Sequence, residues 1–311
     1  MRSHYNRTLE KPSEISSIAA HSTDDNIFFT CGDDGTLRVW NAALRQSISG
    51  VDLNIDKTGN IMSRDPNTRE IRSASKLQSL SYCSKYDIVA IGCEDGTVRV
   101  VSLKEASQLI MFRHRRSTIQ VSQFSPDSSY LAVGSEEGHI DLYSVPNFKR
   151  IHQVRKNISP ITHLDWSIDS KFIQFNNKEE ELHYIDCRKG QILSNGGAVL
   201  KDILWNNWQC KYGWPVQGVY DPSNMDSKNI AAVHRSPPPK DKPNGSKYLA
   251  VGMLDAVVRI FRYPCISNIA EYIELQGHAG VISDLTFSPN NRYLYTVGSD
   301  DLTILQWRII S

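Results

Sequence analysis

The chain has 311 residues, 40% hydrophobic and 22% charged, with 35 Lys and Arg against 34 Asp and Glu and a formal net charge of +1. That apolar share is enough for a full core and excludes a disordered or collagen-like chain. The balanced charge argues against a protein that coats nucleic acid, because such binding runs on excess Lys and Arg. No apolar run approaches the roughly 18 residues of a membrane span, and Met1-Arg2-Ser3-His4-Tyr5 opens without the apolar run of a secretory signal. The six cysteines are scattered with no Cys-x-x-Cys pair, so they read as reduced, buried thiols rather than a disulfide framework or a zinc site. The expectation is a soluble, intracellular protein with no membrane partner.

In chain order, one unit recurs. Gly32-Asp33-Asp34-Gly35-Thr36-Leu37-Arg38-Val39-Trp40 is followed by Gly92-Cys93-Glu94-Asp95-Gly96-Thr97-Val98-Arg99-Val100-Val101. Then come Gly134 to Tyr143, a weaker copy at Glu179 to Ile185, Gly252 to Phe261, and Gly298 to Trp307. In every copy an acidic residue stands six positions before an apolar or aromatic one. Gly at the turn accepts positive φ, and the alternation of Leu37 with Val39, or Val98 with Val100, turns one strand face inward. Upstream of most copies lies another strand closed by a turn, as in Val121-Ser-Gln-Phe-Ser125-Pro-Asp127 and Leu285-Thr-Phe-Ser288-Pro-Asn290. Such short sheets cannot bury both faces alone, but stacked radially as blades they can.

The marker acids fall at 34, 95, 137, 179, 255 and 301, giving steps of 61, 42, 42, 76 and 46 residues. With about 40–45 residues per blade, the step of 76 predicts a degenerate blade at about 190–228, on strands Val199 to Trp205 and Trp208 to Trp214. The step of 61 predicts an inserted loop at about 41–68, and the Pro-rich stretch at about 236–246 a long exposed loop. The reading is an all-β, seven-bladed propeller in a single domain over residues 1–311. His4 to Glu10 has the character of an outer strand and is expected to pair with the last blade and close the ring.

The unit resembles the WD40 repeat. Gly277-His278, Ser283, Asp301 and Trp307 match that family's structural hydrogen-bonded set, Trp40 with Asp34 match part of it, and Asp95 holds the equivalent turn. Further segments narrow the resemblance: Ile161-Thr-His-Leu-Asp-Trp166, Gly213-Trp-Pro-Val-Gln-Gly-Val-Tyr220, Asn229-Ile-Ala-Ala-Val-His-Arg235, Phe261-Arg-Tyr-Pro-Cys265 and Leu302-Thr-Ile-Leu-Gln-Trp307. They are similar to the second propeller of the echinoderm microtubule-associated-protein-like family, from about residue 14 to the C-terminus. That family's N-terminal coiled coil and first propeller have no counterpart in this sequence. The resemblance implies a non-catalytic interaction platform in the cytoplasm on the microtubule cytoskeleton, with tubulin or a microtubule-linked protein as partner. A general WD40 scaffold or substrate receptor in another pathway is the alternative.

No phosphate-binding glycine loop, nucleophile elbow or His-Glu-x-x-His motif occurs, so no enzyme, cofactor or metal is expected. His163 near Asp165, and His183 beside Glu179 to Glu181, read as chance pairs on alternating strands. Trp205, Trp208 and Trp214 read as packing residues. The candidate binding feature is Phe112-Arg113-His114-Arg115-Arg116, in a connection between an outer and the next inner strand, with Arg155 and Lys156 in the equivalent place one blade later. A basic rim built from them would meet acidic partners in a salt-sensitive way.

Overall fold

Alternating β-branched and small residues, punctuated by Asp-Gly and Ser-Pro turns, produce a run of antiparallel meanders. The computed structural model describes residues 5–6, 11–54, 75–114, 116–156, 159–220, 229–239, 242 and 245–310, with residues 5, 6, 11 and 12 as backbone alone. After a two-residue pairing of β1 (Tyr5–Asn6) with β2 (Lys11–Pro12), the first blade comprises β3 (Ile15–Ala20), β4 (Ile27–Gly32), β5 (Thr36–Asn41) and β6 (Gln46–Asp52). The second has β7 (Leu77–Cys83), β8 (Ile88–Cys93), β9 (Thr97–Ser102) and β10 (Ser107–Arg113), and the third β11 (Ile119–Phe124), β12 (Tyr130–Ser135), β13 (His139–Ser144) and β14 (Arg150–Arg155). The fourth is built from β15 (Ile161–Trp166), β16 (Phe172–Asn177), β17 (Leu182–Asp186) and β18 (Gln191–Ile192). The fifth takes β19 (Ile230–Arg235), β20 (Tyr248–Met253), β21 (Val257–Arg262) and β22 (Tyr272–Gln276). The last has three strands, β23 (Ile282–Phe287), β24 (Tyr293–Gly298) and β25 (Ile304–Arg308).

Burial is graded along each blade. Every residue of β8 is buried, whereas β6 and β22 are mostly exposed. The core therefore lies between blade faces, where each buried Val, Leu or Ile contributes about 1.5–3 kcal/mol. Close packing explains the glycine at the end of the second strand: a Cβ on Gly92 would come within 2.4 Å of Ile119 Cγ2 on the next blade. The residue after each marker acid is left-handed. Gly35, Gly96 and Gly138 serve three blades, and Glu180, Ala256 and Leu302 adopt the same φ region in the others. Three repeats thus carry a backbone strain that glycine would relieve.

The described residues form six propeller sheets rather than seven. Between Ile192 and Ile230 the expected strands are replaced by a short helix, α1 (Gly196–Val199), a single bridge from Ser167 to Trp205, and a 3-10 turn at Trp214–Val219. The segment from Trp205 to Tyr212 is wedged between the fourth and fifth blades, held by side chains in place of a ladder. The amides of Gln209 and Cys210 donate to the Asp165 carboxylate at 2.8 and 3.1 Å, and the Tyr212 amide donates to Asn176 Oδ1 at 3.1 Å. The Arg235 amide donates to the Trp208 carbonyl at 3.1 Å from the other side. A carboxylate that caps two successive amides removes the donors a neighbouring strand would need, so no sheet grows there.

The strand exchange expected at ring closure, His4 to Glu10 with the last blade, is not seen among the described residues. Tyr5–Asn6 pair with Lys11–Pro12, the last sheet has three strands among the described residues, and 7–10 lie outside them. The first and last blades meet instead by their faces. Asp284 Oδ2 accepts from the Ser17 hydroxyl at 2.9 Å and the Ile18 amide at 3.0 Å, and the Ser283 hydroxyl donates to the Ile15 carbonyl at 2.7 Å. The Asn290 amide donates to Asp25, Tyr295 donates to the Asp25 carbonyl, and Phe28 stacks on Tyr295. Of the stretch 41–68 expected as an inserted loop, Gln46–Asp52 form the outer strand β6, and 55–74 lie outside the described residues. The Pro-rich stretch 236–246 links β19 to β20, with 240–241 and 243–244 outside the description.

Candidate functional site

Two features of the ring can carry recognition, the rim and the central channel, and both depend on the scaffold that fixes the strands. In the last blade His278 Nδ1 donates to Asp301 Oδ2 at 3.0 Å, the Thr296 hydroxyl meets His278 Nε2 at 2.8 Å, and Trp307 Nε1 donates to Thr296 Oγ1 at 3.0 Å. One tautomer, with the proton on Nδ1, satisfies all three contacts, since the carboxylate can only accept. Burial alone would raise the Asp301 carboxyl, but the Ala279 and Thr303 amides and the Thr303 and His278 side chains outweigh it and hold it below the ordinary range. Ser283 does not belong to this set. Its hydroxyl donates to the carbonyls of Ile15 and Val297, and Thr296 takes the expected place.

In the first blade Trp40 Nε1 donates to Thr30 Oγ1 at 2.8 Å, while Asp34 accepts from the amide and hydroxyl of Thr36 and from Arg38 at 3.0 Å. Asp95 accepts from the Thr97 amide and hydroxyl, which overcome the effect of burial and lower its carboxyl. These acids brace the turns that carry the rim.

Arg113 ends β10 and Arg155 ends β14; with Arg116 and Lys156 they are exposed on adjacent connections, and Arg115 lies outside the described residues. The same rim carries the turns after each second strand, tied to those connections by Glu136 N–H to the Thr118 carbonyl and Lys178 N–H to the Pro160 carbonyl. Glu136, Glu137, Glu179, Glu180 and Glu181 are exposed there. The cations are therefore interleaved with carboxylates in one mixed rim, which narrows any attraction for an acidic partner to a local patch, because screening cuts exposed charges off over about 10 Å.

The first strands of the blades and the wedge enclose a central channel of about 660 Å³, lined largely by Ser, Thr, Gln and Asn. Its titratable groups include Asp284, His163, His234 and Lys211. Burial pushes the Asp284 carboxyl up to about 6 despite bonds from Ile18, Ser17 and Leu285. Burial, with Arg235 beside it, pushes His234 down to about 4. Burial and the nearby Lys211 ammonium hold His163 well below the usual imidazole range. Both rings are neutral at pH 7, and the Nδ1 atoms of both are buried with no hydrogen-bond partner among the described residues.

Other sequence candidates separate cleanly. His183 Nε2 contacts Glu181 at 2.9 Å near the rim and is separated from His163 by the intervening strand β16, and no group of three or more His, Cys, Asp or Glu converges among the described residues. Trp205 and Trp208 are buried in one core cluster, whereas Trp214 is 62% exposed. All six cysteines are free and buried, and among the described residues no helix is long and apolar enough to cross a membrane.

Residues 15–309 match the family described as echinoderm microtubule-associated protein second beta-propeller. Among individual proteins, echinoderm microtubule-associated protein-like 4 of Xenopus laevis is 30% identical over 138 residues, covering 44% of this chain and 14% of that protein. The Homo sapiens protein of the same name is 29% identical over the same share of this chain and 13% of its own length. Echinoderm microtubule-associated protein-like 1 of Rattus norvegicus is 29% identical over 42% of this chain and 15% of its own. The matched stretches thus span about a seventh of these relatives. With the family match running from β3 through β25, the chain belongs to the echinoderm microtubule-associated protein family, as its second β-propeller.

Proposed function

We propose that the chain, as a single propeller domain, is a non-catalytic protein-interaction platform of the microtubule cytoskeleton, and that it binds tubulin or a microtubule-linked partner. The observation that carries this reading is the family match across all six sheets, together with relatives whose names state microtubule association. A rigid ring suits such a role because its strands hold connecting loops in fixed positions without a moving part. Within it, Arg113, Arg115, Arg116, Arg155 and Lys156 form the contact patch, meeting an acidic surface of the partner by exposed charge pairs. The cytoplasm is the corresponding location.

The test is microtubule pelleting and co-elution with soluble αβ-tubulin at two salt concentrations. Binding that weakens as salt rises, and that is lost in Arg113→Glu/Arg116→Glu/Arg155→Glu with the ring still folded, is the expected result. Absence of binding by folded wild-type chain would reject the microtubule reading and leave a WD40 scaffold with another partner.

A further inference from the structure

Lys211 sits on the wedge, partly buried, with its side chain lining the central channel. Its ammonium donates one hydrogen bond, to the Ile230 carbonyl at 2.8 Å, and no carboxylate stands within ion-pair distance among the described residues. Burial alone pushes its pKa down to about 8, so most of the molecules carry the charge at pH 7. Proteins seldom leave a buried cation without a counter-charge, since desolvation costs several kcal/mol per ion and is offset only by a partner. Two of the three ammonium protons have no acceptor among the described residues, and His163 lines the same channel.

Space is present beside the cation as well. The wedge is flanked on one side by Thr162 and His163 of β15 and on the other by Ala231 and Ala232 of β19, where two small side chains leave the channel open. Gln209, two residues before Lys211, is fixed by Gln123 Nε2 across the fourth blade at 3.2 Å, which stiffens the segment that carries the lysine. The cavity volume falls in the range of small-ligand sites, roughly 300–1,000 Å³.

We propose that the central channel is a binding site for an oxyanion, a carboxylate or phosphate group, with Lys211 as its cation and His163 as a hydrogen-bond partner. The group can come from a free anion or from the side chain of an acidic peptide entering the channel. This site is separate from the rim patch and stands or falls without it.

The experiment uses the full chain at pH 7 and constant ionic strength, with inorganic phosphate and hexaglutamate as probes, followed by thermal denaturation and titration calorimetry. At least one probe should raise the melting temperature, with affinity falling about tenfold or more in Lys211→Met, as for a lost charge-assisted bond. Lys211→Met should stay folded, because loss of its bond to the Ile230 carbonyl is set against removal of a cation with no carboxylate beside it among the described residues, and Arg113→Glu/Arg116→Glu should bind the probes as wild type does. Phosphate alone active identifies a free anion as the source; hexaglutamate alone active identifies a peptide. In unmodified protein at pH 8, the active probe should slow acetylation of Lys211, read by mass spectrometry, while the 68% exposed Lys189 side chain is labelled at an unchanged rate. No stabilisation by either probe, an undiminished effect in Lys211→Met, or no protection of Lys211 overturns the proposal.

Discussion

Replacing Thr296 by Val changes little in shape and removes one hydroxyl that serves two partners. Thr296 is 0% exposed and the His278 side chain 1% exposed, so water cannot take its place. The substitution leaves His278 Nε2 without its donor and Trp307 Nε1–H without its acceptor. Each orphaned buried group costs about 1–3 kcal/mol, so two give a loss of about 2–4 kcal/mol after partial relaxation. A domain of this size loses roughly 2–4 °C of melting temperature per kcal/mol, so the transition should fall by about 4–16 °C. Denaturant unfolding of Thr296→Val, Trp307→Phe and the double variant forms a cycle. Trp307→Phe removes the donor that Thr296→Val strands, so the double variant should cost less than the sum of the singles. A Thr296→Val protein within about 0.5 kcal/mol of wild type, or strict additivity, would refute the assignment of Thr296 to the hydrogen-bonded set.

Ala256→Gly should stabilise the ring by about 0.5–1 kcal/mol in denaturant unfolding, because Ala256 holds φ 71° where three sister turns use glycine. Gly92→Ala should cost about 1–3 kcal/mol by the same assay, since its Cβ would press on Ile119 and Ser79. Asp284 has a folded pKa of about 6 against an ordinary 3.8, so its contribution is complete below 3.8 and is lost as pH rises through 6. Stability against pH should accordingly decline between pH 4 and 7 in wild type, by at most about 3 kcal/mol from this group, and this limb should vanish in Asp284→Asn.

The repeat was legible because its constraints are local. A turn acid, a left-handed residue and an alternating strand sit within ten positions, so Asp34, Asp95 and Asp301 could be placed from spacing, while His278 and Trp307 came from the resemblance to the WD40 repeat. Thr296 was missed because its bond to Trp307 runs between paired strands, and the resemblance pointed to Ser283, whose hydroxyl faces the first blade. The basic rim was half legible. Arg113 and Arg155 do share a rim, but the glutamates that interleave with them come from turns belonging to other strands, and only the fold sets them side by side.

The blade count failed for a more instructive reason. Length predicts that chain enough for a further blade lies between Ile192 and Ile230, and it does, yet the backbone donors of Gln209 and Cys210 are spent on the side chain of Asp165, 44 and 45 residues earlier. A single buried carboxylate, raised by burial yet held by Gln174 and these two amides, does the work of a strand edge. A sheet repeats its pattern of side chains around a channel, whereas a wedge held in this way is free to differ from its neighbours. That freedom is what lets Lys211 stand between the alanines of β19 and the neutral His163, and it makes this sector of the ring the least uniform part of the channel wall.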